Sequence, residues 1–210
     1  MEQRGKVIEM HSEINCLDHH HSTFLSPYPE KMGFDIGRGS IKHGYLLIRD
    51  TDIQHTIMKI AATIINQYAG KDNLHFIINV RNGIMFGSDL LQRLSIPVSF
   101  DFMTQHGRNN DYNFVSSDSL TGKTCIVVQG PSNEKFYCQP ITSDLKSFGA
   151  KDVQFCFCTV IPEKLDIPVE NLQYVGYLLQ NLDDTRYLVG YGAGRRSKNQ
   201  NVKALYSVEV

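Results

Sequence analysis

Apolar positions along this chain switch between two periods, and the switching predicts the elements. Ile53, Ile57, Ile60, Ile64 and Ile65 recur at helical spacing in TDIQHTIMKIAATIINQYAG, with Asp50 or Thr51 placed to cap the start and Gly70 to stop it. LHFIINV (74–80) is a continuous apolar run of the buried-strand kind, closed by the polar turn Arg81-Asn82-Gly83. IMFGSDLLQRLS then reads as a helix, IPVSFDFM as a strand, KTCIVVQ as a strand and residues 136–148 as a helix. DVQFCFCTVI is a strand rich in aromatic and β-branched residues, and QYVGYLL, RYLVGYGAG and VKALYSVEV are short strands, the last a closing one. Residues 104–120 are polar, a loop or an exposed hairpin, and residues 1–35 show little periodicity and read as irregular. Strands alternating with helices imply βαβ units: an α/β fold with a mostly parallel central sheet and helices on both faces.

Composition narrows the function classes. The chain has 210 residues, 41% apolar and 20% charged, enough for one core. A net charge of −1 with no basic block gives no pull towards nucleic acid or an anionic membrane. No run of about 18 apolar residues is present to span a bilayer, and MEQRGKVIEMHSEIN does not resemble a signal or transit peptide. The expected location is the cytoplasm. Of the five cysteines, Cys125, Cys156 and Cys158 sit inside apolar runs, which predicts reduced, buried thiols.

Few residues carry recognisable chemistry. His11 and Asp18-His19-His20-His21 have no second ligand cluster at metal-site spacing and read as a solvated run. Cys156 and Cys158 alternate on one strand face, as core residues do. Arg81-Asn82-Gly83 lies between a strand end and a helix N-terminus, where amides and a guanidinium favour an anion; a plain turn fits equally well. Arg186-Tyr187-Leu188 offers either an aromatic platform for a planar base or a core aromatic. IVVQGPSNEKF (126–136) ends a strand at the sheet edge where ligands bind in open α/β folds, yet Gln129, Ser132 and Glu134 are a poor set for phosphate or metal.

Four stretches, in order, resemble the hypoxanthine-guanine phosphoribosyltransferase family. IKHGYLLIRDTDIQHTIMKIAATI is similar to the family's Pro-His-Gly segment and following helix, with Lys42 in place of Pro. LHFIINVRNGIMFGSDLLQRLSIPVSFDFM resembles the pyrophosphate-loop region, SLTGKTCIVVQ the approach to the phosphoribosyl loop, and YVGYLLQNLDDTRYLVGYGAG the base-binding region. The resemblance implies a type I phosphoribosyltransferase-like domain over residues 23–210, with a small hood from the chain ends, behind an irregular segment 1–22.

It also implies where the site would be, and that the site is degenerate. The two ribose-binding acids become Val128 and Gln129, and the base position becomes Ser132. The Thr-Gly-x-Thr phosphate cradle becomes Asn133-Glu134-Lys135-Phe136. Val128 accepts no hydrogen bond, Ser132 is no carboxylate base, and Glu134 puts a negative charge where a phosphate dianion would sit. Arg81, Asn82 and Gly83 partly keep the pyrophosphate loop. Arg186, Tyr187 and Leu188 match the base-binding positions. The lysine that reads the purine oxygen falls near Ile161, with Lys164 close by. The magnesium-holding aspartate is Gly194, and the later arginine falls near Gln200, with Arg195 and Arg196 upstream. The mobile-loop pair has its nearest counterpart in His106-Gly107.

Two functions follow from the resemblance. One is a non-catalytic homologue, needing no cofactor, that associates with itself as a dimer or tetramer or with an active relative, and keeps residual purine nucleotide binding. The other is an active purine-salvage enzyme that makes IMP or GMP from hypoxanthine or guanine and phosphoribosyl diphosphate with Mg2+ through a rearranged site.

Overall fold

The computed structural model describes residues 12–15, 29–35, 41–106, 111–115, 119–180, 182, 185–194 and 199–209. His11, Asp18 to His21, Gly107, Arg195 and Arg196 lie outside the described residues.

The apolar runs 74–80 and 124–129 become the centre of the molecule. Strands β4 (Leu74–Asn79) and β7 (Thr124–Gln129) are buried along their whole length and pair in parallel. Their neighbours extend the sheet: β5 (Ser99–His106) and β6 (Asp111–Val115) on one side, β8 (Asp152–Val160), β9 (Tyr174–Gln180) and β1 (Ser12–Asn15) on the other. The order is β1-β9-β8-β7-β4-β5-β6, parallel throughout except for the β5–β6 hairpin.

Because successive strand residues point to opposite faces, one run serves two cores. Ile78, Ile126, Val128, Cys156 and Cys158 pack with helices α1 (Asp50–Tyr68) and α2 (Ile84–Leu91). Ile77, Val127, Phe155 and Phe157 face the other way, onto Ile141 and Leu145 of α3 (Cys138–Ser147). Both cysteines of Cys156-Phe157-Cys158 therefore share a buried face.

A second, antiparallel sheet has the order β10-β11-β3-β2, built from β10 (Arg186–Val189), β11 (Leu205–Glu209), β3 (Ile41–Ile48) and β2 (Lys31–Asp35). Both ends of the chain supply strands to this hood, as expected. Leu188, Tyr191 and Leu205 join the α1/α2 core and so fix the hood to the main sheet. Tyr191 reaches further: its hydroxyl donates to Asp89 Oδ2 of α2 at 2.6 Å, and Gln54 Nε2 of α1 donates to the same oxygen at 2.8 Å.

Two local expectations change. The stretches 1–22 and 1–35 are not irregular throughout, since Ser12–Asn15 pairs in parallel with β9 and Lys31–Asp35 pairs with β3. Both strands are short: Lys31–Asp35 alternates through Met32 and Phe34, but over five residues, too short a run to stand out. Helix α1 begins after Arg49, whose backbone is extended, with no side-chain cap; Asp50 and Asp52 lie in the first turn, where the helix dipole favours negative charge. Of the two readings of residues 104–120, the hairpin holds, since β5 pairs antiparallel with β6. Among the described residues, no helix is long and apolar enough to cross a membrane.

The helix register has a direct test. Ile64, 0% exposed, faces the core, whereas Met58, 51% exposed, does not. Ile64→Ala should lower unfolding free energy by about 2–5 kcal/mol. Met58→Ala should stay within about 0.5 kcal/mol in the same urea titration.

Candidate functional site

At the C-terminal ends of β4 and β7 three segments converge on one carbonyl. Asn82 O lies where a Cβ on Gly130 would come within 1.9 Å, and a Cβ on Gly192 within 2.6 Å. Gly192 also adopts φ +90, which favours glycine. This approach brings the 81–83 turn, the segment after β7 and the turn after β10 around a cleft of ≈ 150 Å³. Arg81, Asn82, Ser132, Asn133, Glu134 and Tyr187 line it, with Leu188, Gly194 and Gln200. Most of the positions expected from the sequence are thus brought together.

Within this cleft the chain satisfies its own polar groups. Arg81 NH2 lies 2.8 Å from Glu134 Oε1, both side chains about half exposed. Asn133 spans from the loop to the hood: its Nδ2 donates to Arg186 O at 2.9 Å, and its Oδ1 accepts from Leu188 N at 2.6 Å. Ser132 Oγ accepts from Glu134 N at 3.1 Å, a local turn contact. Gln129 is buried and its Oε1 accepts from Asn79 Nδ2 at 2.8 Å, while Asn79 Oδ1 accepts from Arg81 N at 3.1 Å. One group is left over: Asn82 Oδ1 is buried with no hydrogen-bond partner among the described residues.

Other expected positions leave the cleft altogether. Val128 is a core residue at 0% exposure. Phe136 is buried edge-on against Phe157, ring centroids 5.1 Å apart, and its amide donates to Lys164 O. Lys135 is exposed and not part of the lining. Arg186 sits beside the cleft with NH2 3.7 Å from Glu209 Oε1 on β11.

Ile161 is buried and Lys164 ends the 3-10 turn that follows it. Both line a second cavity, of ≈ 10 Å³, with Gln129, Ser132, Glu134 and Thr159. That space holds about one water, and Thr159 Oγ1, buried without a partner among the described residues, faces this region.

The N-terminus of α3 is occupied as well. Asp166 Oδ1 accepts from Cys138 N at 2.7 Å, and Oδ2 accepts from Gln139 N at 3.0 Å. A helix N-terminus is a ready anion site, and here the anion belongs to the chain. Sequence reasoning missed Asp166, Asn79 and the close approach of Gly130. Gly130-Pro131 directly after a buried strand was the available signal, but Asp166 lies 27 residues from Gln139 and no spacing betrays it.

As a magnesium site the cleft is poor. Gly194 has no side chain, Val128 is apolar and buried, and the Glu134 carboxylate faces Arg81. Among the described residues no group of three His, Cys, Asp or Glu side chains could hold a metal ion.

Comparison with known proteins agrees with this arrangement of strands and loops. No protein-family profile matches the chain. Hypoxanthine phosphoribosyltransferase of Haemophilus influenzae is 22% identical over 170 residues, spanning 76% of this chain and 92% of that protein. Hypoxanthine-guanine phosphoribosyltransferase of Staphylococcus aureus is 24% identical over 165 residues, spanning 75% and 89%. The chain is related, at low identity, to the hypoxanthine-guanine phosphoribosyltransferases.

Solved structures place the fold in the same group. A hypoxanthine-guanine phosphoribosyltransferase of Bacillus anthracis superposes with a TM-score of 0.66 at 20% identity, covering 79% of this chain and 96% of that one. The Trypanosoma cruzi hypoxanthine phosphoribosyltransferase, in complex with the product IMP, gives 0.67 at 16% identity, covering 78% and 89%. The fold is that of a type I phosphoribosyltransferase.

Two measurements test the local chemistry. Asp166→Ala removes the acceptor for two α3 amides and should cost about 1 kcal/mol in urea unfolding, the usual worth of an N-terminal cap. The thiols give a pH dependence. Burial pushes Cys125 up to about 11 from 9.0, and pushes Cys138, Cys156 and Cys158 up in the same direction. A raised thiol favours the folded state fully below the unfolded value near 9, and that advantage is lost as pH climbs towards about 11. Melting temperature should therefore fall across that alkaline window, and these four thiols should react with a thiol reagent at neutral pH only after unfolding.

Proposed function

We propose that this chain is a non-catalytic homologue of the hypoxanthine-guanine phosphoribosyltransferases that works by protein association. One observation carries the reading: the Arg81 guanidinium in the cleft is held by a carboxylate of the chain itself, Glu134, and the N-terminus of α3, the helix after the loop, is capped by another, Asp166. Magnitudes point the same way. Losing one acid-base or electrostatic contributor typically costs about 10²- to 10⁴-fold, and at Val128, Gln129, Ser132, Glu134 and Gly194 several are altered together. Such losses are not additive, but substrate binding is weakened along with chemistry.

Association is the role left to a well-packed fold with such a site. The partner is a second copy, in a dimer or tetramer, or an active relative. A net charge of −1 offers little self-repulsion, and exposed Ile84, Phe100 and Phe148 supply apolar contact area. Purine nucleotide binding through Tyr187 ranks behind it, because a cleft of ≈ 150 Å³ is below the roughly 300 Å³ at which small-molecule sites begin.

The decisive experiment mixes purified protein with hypoxanthine or guanine, phosphoribosyl diphosphate and Mg2+ and follows nucleotide formation. No turnover is expected; turnover at about 1 s⁻¹ or faster would return the protein to purine salvage. Guanosine monophosphate should leave the melting temperature nearly unchanged, since a ligand that binds the folded state raises it. Sedimentation should show a dimer or larger species, or a complex with an active relative. A monomer that captures no relative defeats the association role.

A further inference from the structure

We infer that Glu134 is a built-in occupant of the cleft, an autoinhibitory contact that hides Arg81 from small phosphate-like oxyanions. The inference deepens the reading above, and it rests on how the carboxylate is held rather than on the strength of its ion pair. With Arg81 and Glu134 half exposed, their 2.8 Å contact is individually weak. The residues around Glu134 are not weakly held. One position before it, Asn133 makes two hydrogen bonds to the β10 backbone, at Arg186 O and Leu188 N. Two positions after it, Phe136 is buried among Tyr112, Phe155 and Phe157. Between these anchors the Glu134 amide donates to Ser132 Oγ. The carboxylate is thereby tethered beside Arg81 at high effective concentration, so an external anion must displace a competitor that cannot diffuse away.

What lies under Glu134 is suited to an oxyanion of limited size. Arg81 supplies forked donors, and its own backbone is fixed by Asn79 Oδ1 on its amide. Asn82 lines the same cleft, with its Oδ1 buried and without a partner among the described residues. The cleft of ≈ 150 Å³ has room for an ion the size of phosphate or pyrophosphate.

The test titrates inorganic pyrophosphate, without metal, into wild type, Glu134→Gln and Arg81→Ala/Glu134→Gln by calorimetry. Removing a like charge a few ångströms from the ligand should tighten binding by roughly tenfold or more in Glu134→Gln. The double variant should return to the wild-type level. Equal binding by wild type and Glu134→Gln, or a gain that survives without Arg81, overturns the proposal. Hydrogen exchange at the Leu188 amide, which donates to Asn133, reports whether the loop stays in place. If Glu134→Gln exposes that amide, Glu134→Ser is titrated instead, and no gain in it overturns the proposal equally. A failed gain with no turnover leaves the non-catalytic reading standing, whereas turnover by wild type removes that reading whatever Glu134 does.

Discussion

Everything at the site depends on the crowding around the Asn82 carbonyl. Gly130 and Gly192 press their backbones against it from two sides, at distances no side chain would allow. That packing holds the turn after β4, the segment after β7 and the hood as one unit. Tyr191, with φ 47 next to Gly192, extends the connection to Asp89 and through it to α1 and α2. The contact is made of backbone, so it tolerates changes in the side chains that project from it.

The side chains left around the cleft act on one another. In a ligand-binding loop, polar groups point outward and wait for a partner, at a cost in stability. Here Gln129 turns to Asn79, Asn133 to the β10 backbone, Glu134 to Arg81 and Asp166 to the α3 amides. Phe136 goes further and becomes part of the aromatic cluster under α3. The polar groups of the loop are satisfied internally, and near the cleft Asn82 Oδ1 and Thr159 Oγ1 are the buried atoms without a partner among the described residues.

Much of this was legible in advance. The apolar runs 74–80 and 124–129 and the aromatic and β-branched run 152–160 read as strands, as they are, and the isoleucine spacing marked the buried side of α1. The loop substitutions at 128–136 were visible as residue types, and their chemistry argued against phosphate before any coordinates. The strands Ser12–Asn15 and Lys31–Asp35 were not legible, because four or five residues give too short a pattern and their pairing with β9 and β3 is with distant segments. Nor was the direction of Arg186, which lies opposite Glu209 only through the β10–β11 register.

By itself the sequence determined the α/β class, the buried strands and the residue types at 128–136, which lack an acidic pair and a Thr-Gly-x-Thr run. These are local matters of residue type and period, and they survive any arrangement of the elements. Tertiary structure alone decided which groups the loop side chains meet. Arg81 and Glu134 are 53 residues apart, as are Asn133 and Arg186. Their pairing exists only because parallel strands β4 and β7 end side by side and the hood folds over both.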